Sequence, residues 1–90
     1  MIEKIMRKLG FEKLKDIEIL YTFIENPPSE RKMDYKKKYF IENGKFQEDI
    51  VLCGKCLIDG YTSYLIAKEI GKKYVKVRRS TNEQKYKKNS

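Results

Sequence analysis

Apolar residues recur along this chain with helical spacing in some segments and with strand-like clustering in others. Four apolar residues near the amino end lie three or four positions apart, as on one helix face: Ile2, Ile5, Met6 and Leu9. Gly10 ends that helix, and residues 11–15 predict a further helical turn with Leu14 directed inward. Residues 17–24 are rich in β-branched and aromatic side chains and predict a strand.

A second helix is predicted after a break at residues 26–28, which include two prolines. Proline lacks a backbone N–H and restricts the residue before it, so a helix starts only beyond this point. Ser29 then caps a helix over residues 30–43, which Gly44 ends. One face of this helix carries its apolar residues: Met33, Phe40 and Ile41.

Two short apolar runs over residues 50–53 and 56–58 predict a hairpin. The two residues between them begin with Gly54, and a two-residue loop with glycine first suits a type II′ turn. The second strand leads directly into a helix over about residues 61–70. A short alternating strand over residues 74–77 closes the pattern.

These elements predict an α+β fold with a small mixed β-sheet of four strands and helices packed against it. Apolar periodicity is lost at Arg78 or Arg79. We therefore predict one domain over residues 1–78 and a basic, disordered C-terminal arm over residues 79–90.

The basic charge of the chain is concentrated in that arm and in the strand before it. The 90 residues carry a net charge of +8, but residues 1–71 hold 13 Lys/Arg against 12 Asp/Glu, whereas residues 72–90 hold eight against one. Such an arm favours nucleic acid as the partner, although a solubilising tail is the alternative. Nine residues are predicted to contact nucleic acid, with Tyr86 stacking on a base: Lys72, Lys73, Lys76, Arg78, Arg79, Lys85, Tyr86, Lys87 and Lys88.

Composition narrows the class of protein further. No apolar run is long enough to span a membrane, and the amino end lacks the apolar segment of a secretory signal, so we predict a cytoplasmic protein with no membrane partner. The chain contains no histidine and shows no acidic cluster with metal-ligand spacing. These absences favour a binding protein over a nuclease or hydrolase, with no catalytic residue assigned.

The Asp59-Gly60 junction is the predicted site for a phosphate or nucleotide. The first turn of a helix leaves backbone N–H groups without partners, and the helix dipole favours an anion there. Six residues are assigned to this site, hydroxyls and cations included: Gly60, Tyr61, Thr62, Ser63, Arg31 and Lys32. The alternative is that Asp59 or Thr62 simply caps the helix while Tyr61 and Tyr64 pack on the sheet.

Cys53 and Cys56 form a C-x-x-C pattern around the predicted hairpin turn. A structural zinc site needs four ligands, and without histidine or further cysteines only two chains together complete one. A redox C-x-x-C normally begins a helix, which lowers the thiol pKa, and this pair flanks a turn instead. We predict no metal site and interpret both residues as reduced, small apolar side chains in adjacent strands.

Together with its flanks, the central stretch resembles the ParB/sulfiredoxin superfamily over about residues 17–78. The residues that carry the resemblance are Asn26-Pro27 and Arg31 in the first loop, Gly60 at the helix start, Ile66-Ala67 within that helix, Gly71 at its end and the closing strand 74–77. The resemblance implies a mixed sheet with packed helices, and in ParB proteins the same helix start clamps a triphosphate.

The chain differs from this superfamily at the residues that bind the nucleotide or perform the reaction in its members. Tyr61-Thr62-Ser63 replaces both the Glu-Arg-Arg of ParB and the Cys-His-Arg of sulfiredoxin. We therefore predict a degenerate, non-catalytic binding module without a required cofactor, acting on nucleic acid or on a nucleic-acid-handling protein, as an accessory protein of a phage or other mobile element. Two alternatives stay open: a small domain that binds a nucleotide such as ATP or CTP, and an inhibitor of a partner protein or nucleoprotein.

Overall fold

The computed structural model describes residues 2–80, with Ile2 and Glu3 described by their backbone alone. Its elements, with a 3-10 turn at Leu14–Asp16, are α1 (Ile2–Lys8), β1 (Phe11–Lys13), β2 (Glu18–Ile19), α2 (Tyr21–Glu25), α3 (Glu30–Asn43), β3 (Ile50–Cys53), β4 (Cys56–Asp59), α4 (Tyr61–Glu69) and β5 (Tyr74–Arg79). None of the helices within this range is both long and apolar enough to cross a membrane.

The strands form one mixed sheet in the order β1-β5-β3-β4-β2. The β1–β5 and β3–β4 pairs are antiparallel, whereas β5–β3 and β4–β2 are parallel. The predicted α+β class with a small mixed sheet is therefore confirmed, although the described sheet has five strands rather than four.

The additional strand is β1, where the local pattern predicts a helical turn. Phe11–Lys13 pairs with the first three residues of β5, which are more than sixty positions away along the chain. The chain then turns through a 3-10 helix that buries Leu14 as expected. Long-range strand pairing supplies the backbone hydrogen bonds here, and a local pattern carries no information about such a partner.

The predicted strand over residues 17–24 is wrong beyond Ile19. β2 contains two residues that pair with β4 at the edge of the sheet, and the chain then enters the short helix α2. Phe23 on this helix packs against Tyr61, with ring centroids 5.2 Å apart. A tertiary contact thus overrides the local β propensity, and the Asn26 side chain closes the helix by donating to the Thr22 carbonyl at 2.9 Å.

The sheet also extends further along β5 than predicted. Arg78 and Arg79 lie opposite Val51 and Leu52 of β3, and the Ser80 N–H donates to the Leu52 carbonyl at 2.8 Å. Both arginines therefore belong to β5, and Arg79 is not part of the predicted disordered arm. The remaining predicted arm residues, among them Lys85, Tyr86, Lys87 and Lys88, lie outside the described residues.

The core lies between α4 and the central strands. Its buried members come from β3, β4, α4, β5 and the segment before β2: Leu14, Ile17, Ile50, Leu52, Leu57, Tyr64, Ala67, Val75 and Val77. α3 lies over α4 with no buried residue of its own. Phe40 stacks on Phe46 with centroids 4.5 Å apart, but Ile41 is 72% exposed, so its predicted place on the packed face is wrong.

Local turn and cap chemistry agrees with the sequence. Gly54 has φ of +64°, and within residues 2–80 no other residue type has positive φ, which excludes a type I′ turn and fits type II′. The Ser29 hydroxyl accepts a hydrogen bond from the Lys32 N–H at 3.1 Å, and Gly44 ends α3 in the left-handed conformation. These two caps fix both ends of α3.

Candidate functional site

Gly60 brings the start of α4 into direct contact with the chain before β3. Its φ is +86°, and a Cβ atom built there would overlap the Asp49 carbonyl oxygen and lie 2.8 Å from Ile50 Cα. Only glycine allows this close approach in this conformation. The strand-to-helix junction predicted at Asp59-Gly60 therefore exists, and the Asp59 carboxylate accepts a hydrogen bond from the Gly60 N–H at 2.9 Å.

A small cleft of about 180 Å³ opens at this junction. Its lining combines the predicted helix start with the loop after α2: Phe23, Asn26, Pro28, Lys32, Glu48, Asp59, Gly60, Tyr61 and Thr62. Among the described residues, Lys32 is the single cation of this lining, which also contains Glu48 and Asp59, whereas the predicted Arg31 is exposed on α3 and is not part of it. Glu48 forms an ion pair with Lys36, whose Nζ lies 3.1 Å from Oε1, so the charges around the cleft nearly cancel. The charge around this cleft thus disfavours a triphosphate.

The two residues whose hydroxyl groups are predicted to bind phosphate are largely buried. Thr62 is 5% exposed and Ser63 is 3% exposed. The Ser63 hydroxyl donates to the Glu48 carbonyl at 2.7 Å, which ties α4 to the segment before β3. Tyr61 lies between Phe23 and Tyr64, and Tyr64 is a core residue, as in the alternative interpretation of these tyrosines.

A larger cleft of about 600 Å³ lies at the other end of α4, between the turn after β1 and the loop that leads into β5. We call it the lysine cleft, and it is lined by Lys13, Leu14, Lys15, Tyr64, Lys68, Gly71, Lys72 and Lys73. Five of these residues are lysines, and within residues 2–80 no aspartate or glutamate lines it. Leu14 and Tyr64 supply an apolar contribution to its lining.

Backbone hydrogen bonds hold the two walls of the lysine cleft together. The Leu14 N–H donates to the Lys73 carbonyl at 2.9 Å, which joins the turn after β1 to the start of β5. The Lys72 N–H donates to the Ala67 carbonyl at 2.9 Å and closes the end of α4. The carboxyl end of a helix carries partial negative charge, so lysines are stabilised at this position.

The sequence pattern identifies only two of the five cleft lysines. The basic run after Gly71 assigns Lys72 and Lys73 to nucleic acid, but it does not reach Lys13, Lys15 and Lys68. Their charges are balanced by acids nearby in sequence, so composition gives no signal. The pairing of β1 with β5 brings Lys13 and Lys15 beside the basic run, and that pairing is not visible in the local pattern.

The other residues of β5 that are predicted to contact nucleic acid differ in whether their side chains are already held by contacts within the fold. Lys76 is exposed, and Arg78 is exposed with its Nε 3.7 Å from the Asp49 carboxylate. Arg79, by contrast, contacts the buried carboxylate of Glu12 and donates to the Gly54 carbonyl at 3.0 Å. Its guanidinium is therefore part of the fold.

Cys53 and Cys56 lie directly opposite each other across the hairpin turn, and both are free thiols with intermediate exposure. Burial, together with the nearby Glu18 carboxylate and Cys53, raises the pKa of the Cys56 thiol. Within the described residues, no group of three or more potential ligands is placed to hold a metal ion.

The fold is similar to that of a solved structure. The chain superposes on a ParB-N domain, described as Pnob8-like and solved in a C2221 crystal form, with a TM-score of 0.65 over 87% of this chain. The chain has a ParB-like fold. Sequence identity is 23%, and the match spans 32% of the ParB-N chain.

The predicted ParB resemblance is therefore confirmed at the level of the fold. No protein-family model matches the sequence, and no curated protein matches it significantly. The ParB-like topology places Gly60 at the start of α4, whereas the lysine cleft lies at the opposite end of the same helix.

Proposed function

We propose that this chain is a non-catalytic module that binds nucleic acid and that the lysine cleft holds its phosphates. The observation that carries the proposal is the lining of the cleft by five lysines and, among residues 2–80, by no carboxylate. Each lysine ammonium is a compact point charge that pairs with phosphate oxygens and displaces counterions from nucleic acid. A ParB-like fold is compatible with a partner of this kind.

The available charge supports this assignment. In the described part of the chain, Lys15, Lys68 and Lys73 have no ion-pair partner. Lys72, which also lines the cleft, lies over the Phe40 ring with its Nζ 5.9 Å from the ring centroid. Clustered cations that lack neutralising partners produce a positive potential, which attracts polyanions and speeds their association.

β5 connects the cleft to the predicted arm. The strand begins beside Lys73 and ends at Arg79, so its two ends are about 17 Å apart at the usual rise per residue. Basic residues 85, 87 and 88, with Tyr86, would then contact nucleic acid at a second position. Two linked contacts raise the overall affinity because the second one forms at a high effective concentration.

The test measures binding of labelled single-stranded and duplex DNA and RNA against salt concentration. Replacing Lys68 and Lys73 by glutamine should lower the slope of log K against log salt by about 1.4 to 1.8, the contribution of two phosphate contacts. The matched control replaces Lys38 and Lys45, which are exposed outside the cleft and change the net charge equally. The control should retain the slope of the parent chain.

Equal slopes for the cleft and control variants would contradict the assignment, since binding would then depend on net charge alone. A truncation after Ser80 separates the arm from the cleft while leaving β5 complete. A truncation after Val77 would instead remove Arg79 and its contact with Glu12, and so would test stability as well as binding.

The nucleotide alternative has weaker support from the geometry. The cleft at Gly60 is about 180 Å³, which is smaller than most ligand sites, and it contains two carboxylates. A thermal-shift series with ATP, CTP, GTP and UTP tests it, because a ligand that binds the folded state raises apparent stability. Cytoplasmic location, origin in a mobile element and inhibition of a partner protein stay predictions from the sequence.

A further inference from the structure

The hairpin between β3 and β4 places two thiols in adjacent strands at its tip. Cys53 and Cys56 are directly opposite in the antiparallel register. Residues paired in this way have Cα atoms about 4.5 to 5.5 Å apart, which lies inside the range that a disulfide requires. Neither thiol is fully buried, so a small oxidant has access to the pair.

We propose that Cys53 and Cys56 form a reversible intrachain disulfide by exchange with a small-molecule disulfide such as oxidised glutathione. One cysteine thiolate attacks the glutathione disulfide, forming a mixed disulfide and releasing one glutathione thiolate. The second cysteine thiolate then attacks the protein sulfur of the mixed disulfide and releases the second glutathione. The chain loses two electrons and two protons, and one glutathione disulfide becomes two glutathione thiols.

The turn between the two cysteines also contacts the end of β5. The Gly54 carbonyl accepts a hydrogen bond from Arg79 at 3.0 Å, and the Arg79 guanidinium contacts Glu12. A disulfide closed across this turn fixes the geometry around Gly54. The side-chain resonance of Arg79 therefore provides a local reporter of the oxidised state.

The rate of closure should depend on pH. The thiolate is the reacting form, and burial raises the pKa of the Cys56 thiol above its usual value of 9.0. The fraction of Cys56 thiolate is consequently low near neutral pH and increases as pH rises through that raised pKa. We expect the alkylation rate of a Cys53→Ser variant, which keeps this burial and the nearby Glu18 carboxylate, to increase with pH in the same way.

The experiment treats the reduced full-length chain with oxidised glutathione over a series of glutathione ratios and measures intact mass without reductant. The expected product has lost the mass of two hydrogens, is monomeric on a non-reducing gel and returns to the dithiol with dithiothreitol. Cys53→Ser and Cys56→Ser are the controls, and each should stop at a single glutathione adduct because the second thiol is missing.

Three results would overturn the proposal. In the first, the parent chain retains both thiols at millimolar oxidised glutathione. In the second it accumulates glutathione on both cysteines, and in the third it forms disulfide-linked dimers. The measurement uses no nucleic acid, so its outcome is independent of the function proposed for the lysine cleft.

Discussion

Glu12 shows how single residues in this chain combine charge with burial. Its carboxylate is 2% exposed and contacts two arginines, with the Arg7 Nε 3.4 Å from Oε1 and Arg79 at the same oxygen. Within residues 2–80, the second oxygen Oε2 has no hydrogen-bond partner. A buried carboxylate is tolerated only when cations compensate its desolvation, so Glu12 depends on both arginines.

Two adjacent arginines on β5 provide a matched test of this dependence. Arg79→Gln should lower the free energy of unfolding by about 2 kcal/mol, because it leaves the buried Glu12 carboxylate with one cation. Arg78→Gln removes the same charge from an exposed pair with Asp49 and should change it by less than about 0.5 kcal/mol. Chemical denaturation measures both, and equal losses would show that Glu12 is not the cause.

At the scale of the elements, a glycine lies at the start of α4 and another at the end of α3, and the two differ in their surroundings. Gly60 starts α4 against the backbone of residues 49 and 50, whereas Gly44 ends α3 with open space where a Cβ atom would lie. Both have positive φ, so they share the conformational requirement and differ in available space.

This pair separates backbone strain from close packing. Gly44→Ala should cost about 1 kcal/mol, the usual penalty for a left-handed alanine. Gly60→Ala should cost at least about 3 kcal/mol, because its methyl group also overlaps the Asp49 carbonyl. Denaturant midpoints of the two variants check this, and similar losses would mean that the junction relaxes easily.

The elements also show what a local pattern can and cannot predict. The hairpin, the helix after Gly60 and the Ser29 cap are predicted correctly because turn and cap chemistry is encoded within a few residues. β1 and the helix at residues 21–25 are missed, because their conformation depends on β5 and on Tyr61. For the same reason, the lysine cleft itself is not predicted, and of its five lysines only Lys72 and Lys73 are assigned to nucleic acid from the sequence.

For the whole molecule, burial is concentrated in the centre of the sheet. Ile50, Leu52 and Val75 are at most 2% exposed, whereas α2 and α3 contain no buried residue. Stability within one domain follows such differences, because elements with few buried contacts open locally.

Amide hydrogen exchange should therefore divide the chain into two classes. After correction for intrinsic rates, amides of β3 and β5 should exchange at least about 100-fold more slowly than those of α2. The amides of α4 in contact with the core serve as an internal reference for protected helix. Protection of α2 equal to that of β3 would contradict this division.

The position of β5 between β1 and β3 affects the chain while it is being synthesised. About sixty residues separate β1 from its partner, so at 5–20 residues per second the nascent β1 waits on the order of 3 to 12 seconds. During this interval the backbone groups of β1 that later pair with β5 lack their partners. Translation speed and chaperone access in that window therefore bear directly on the yield of native protein.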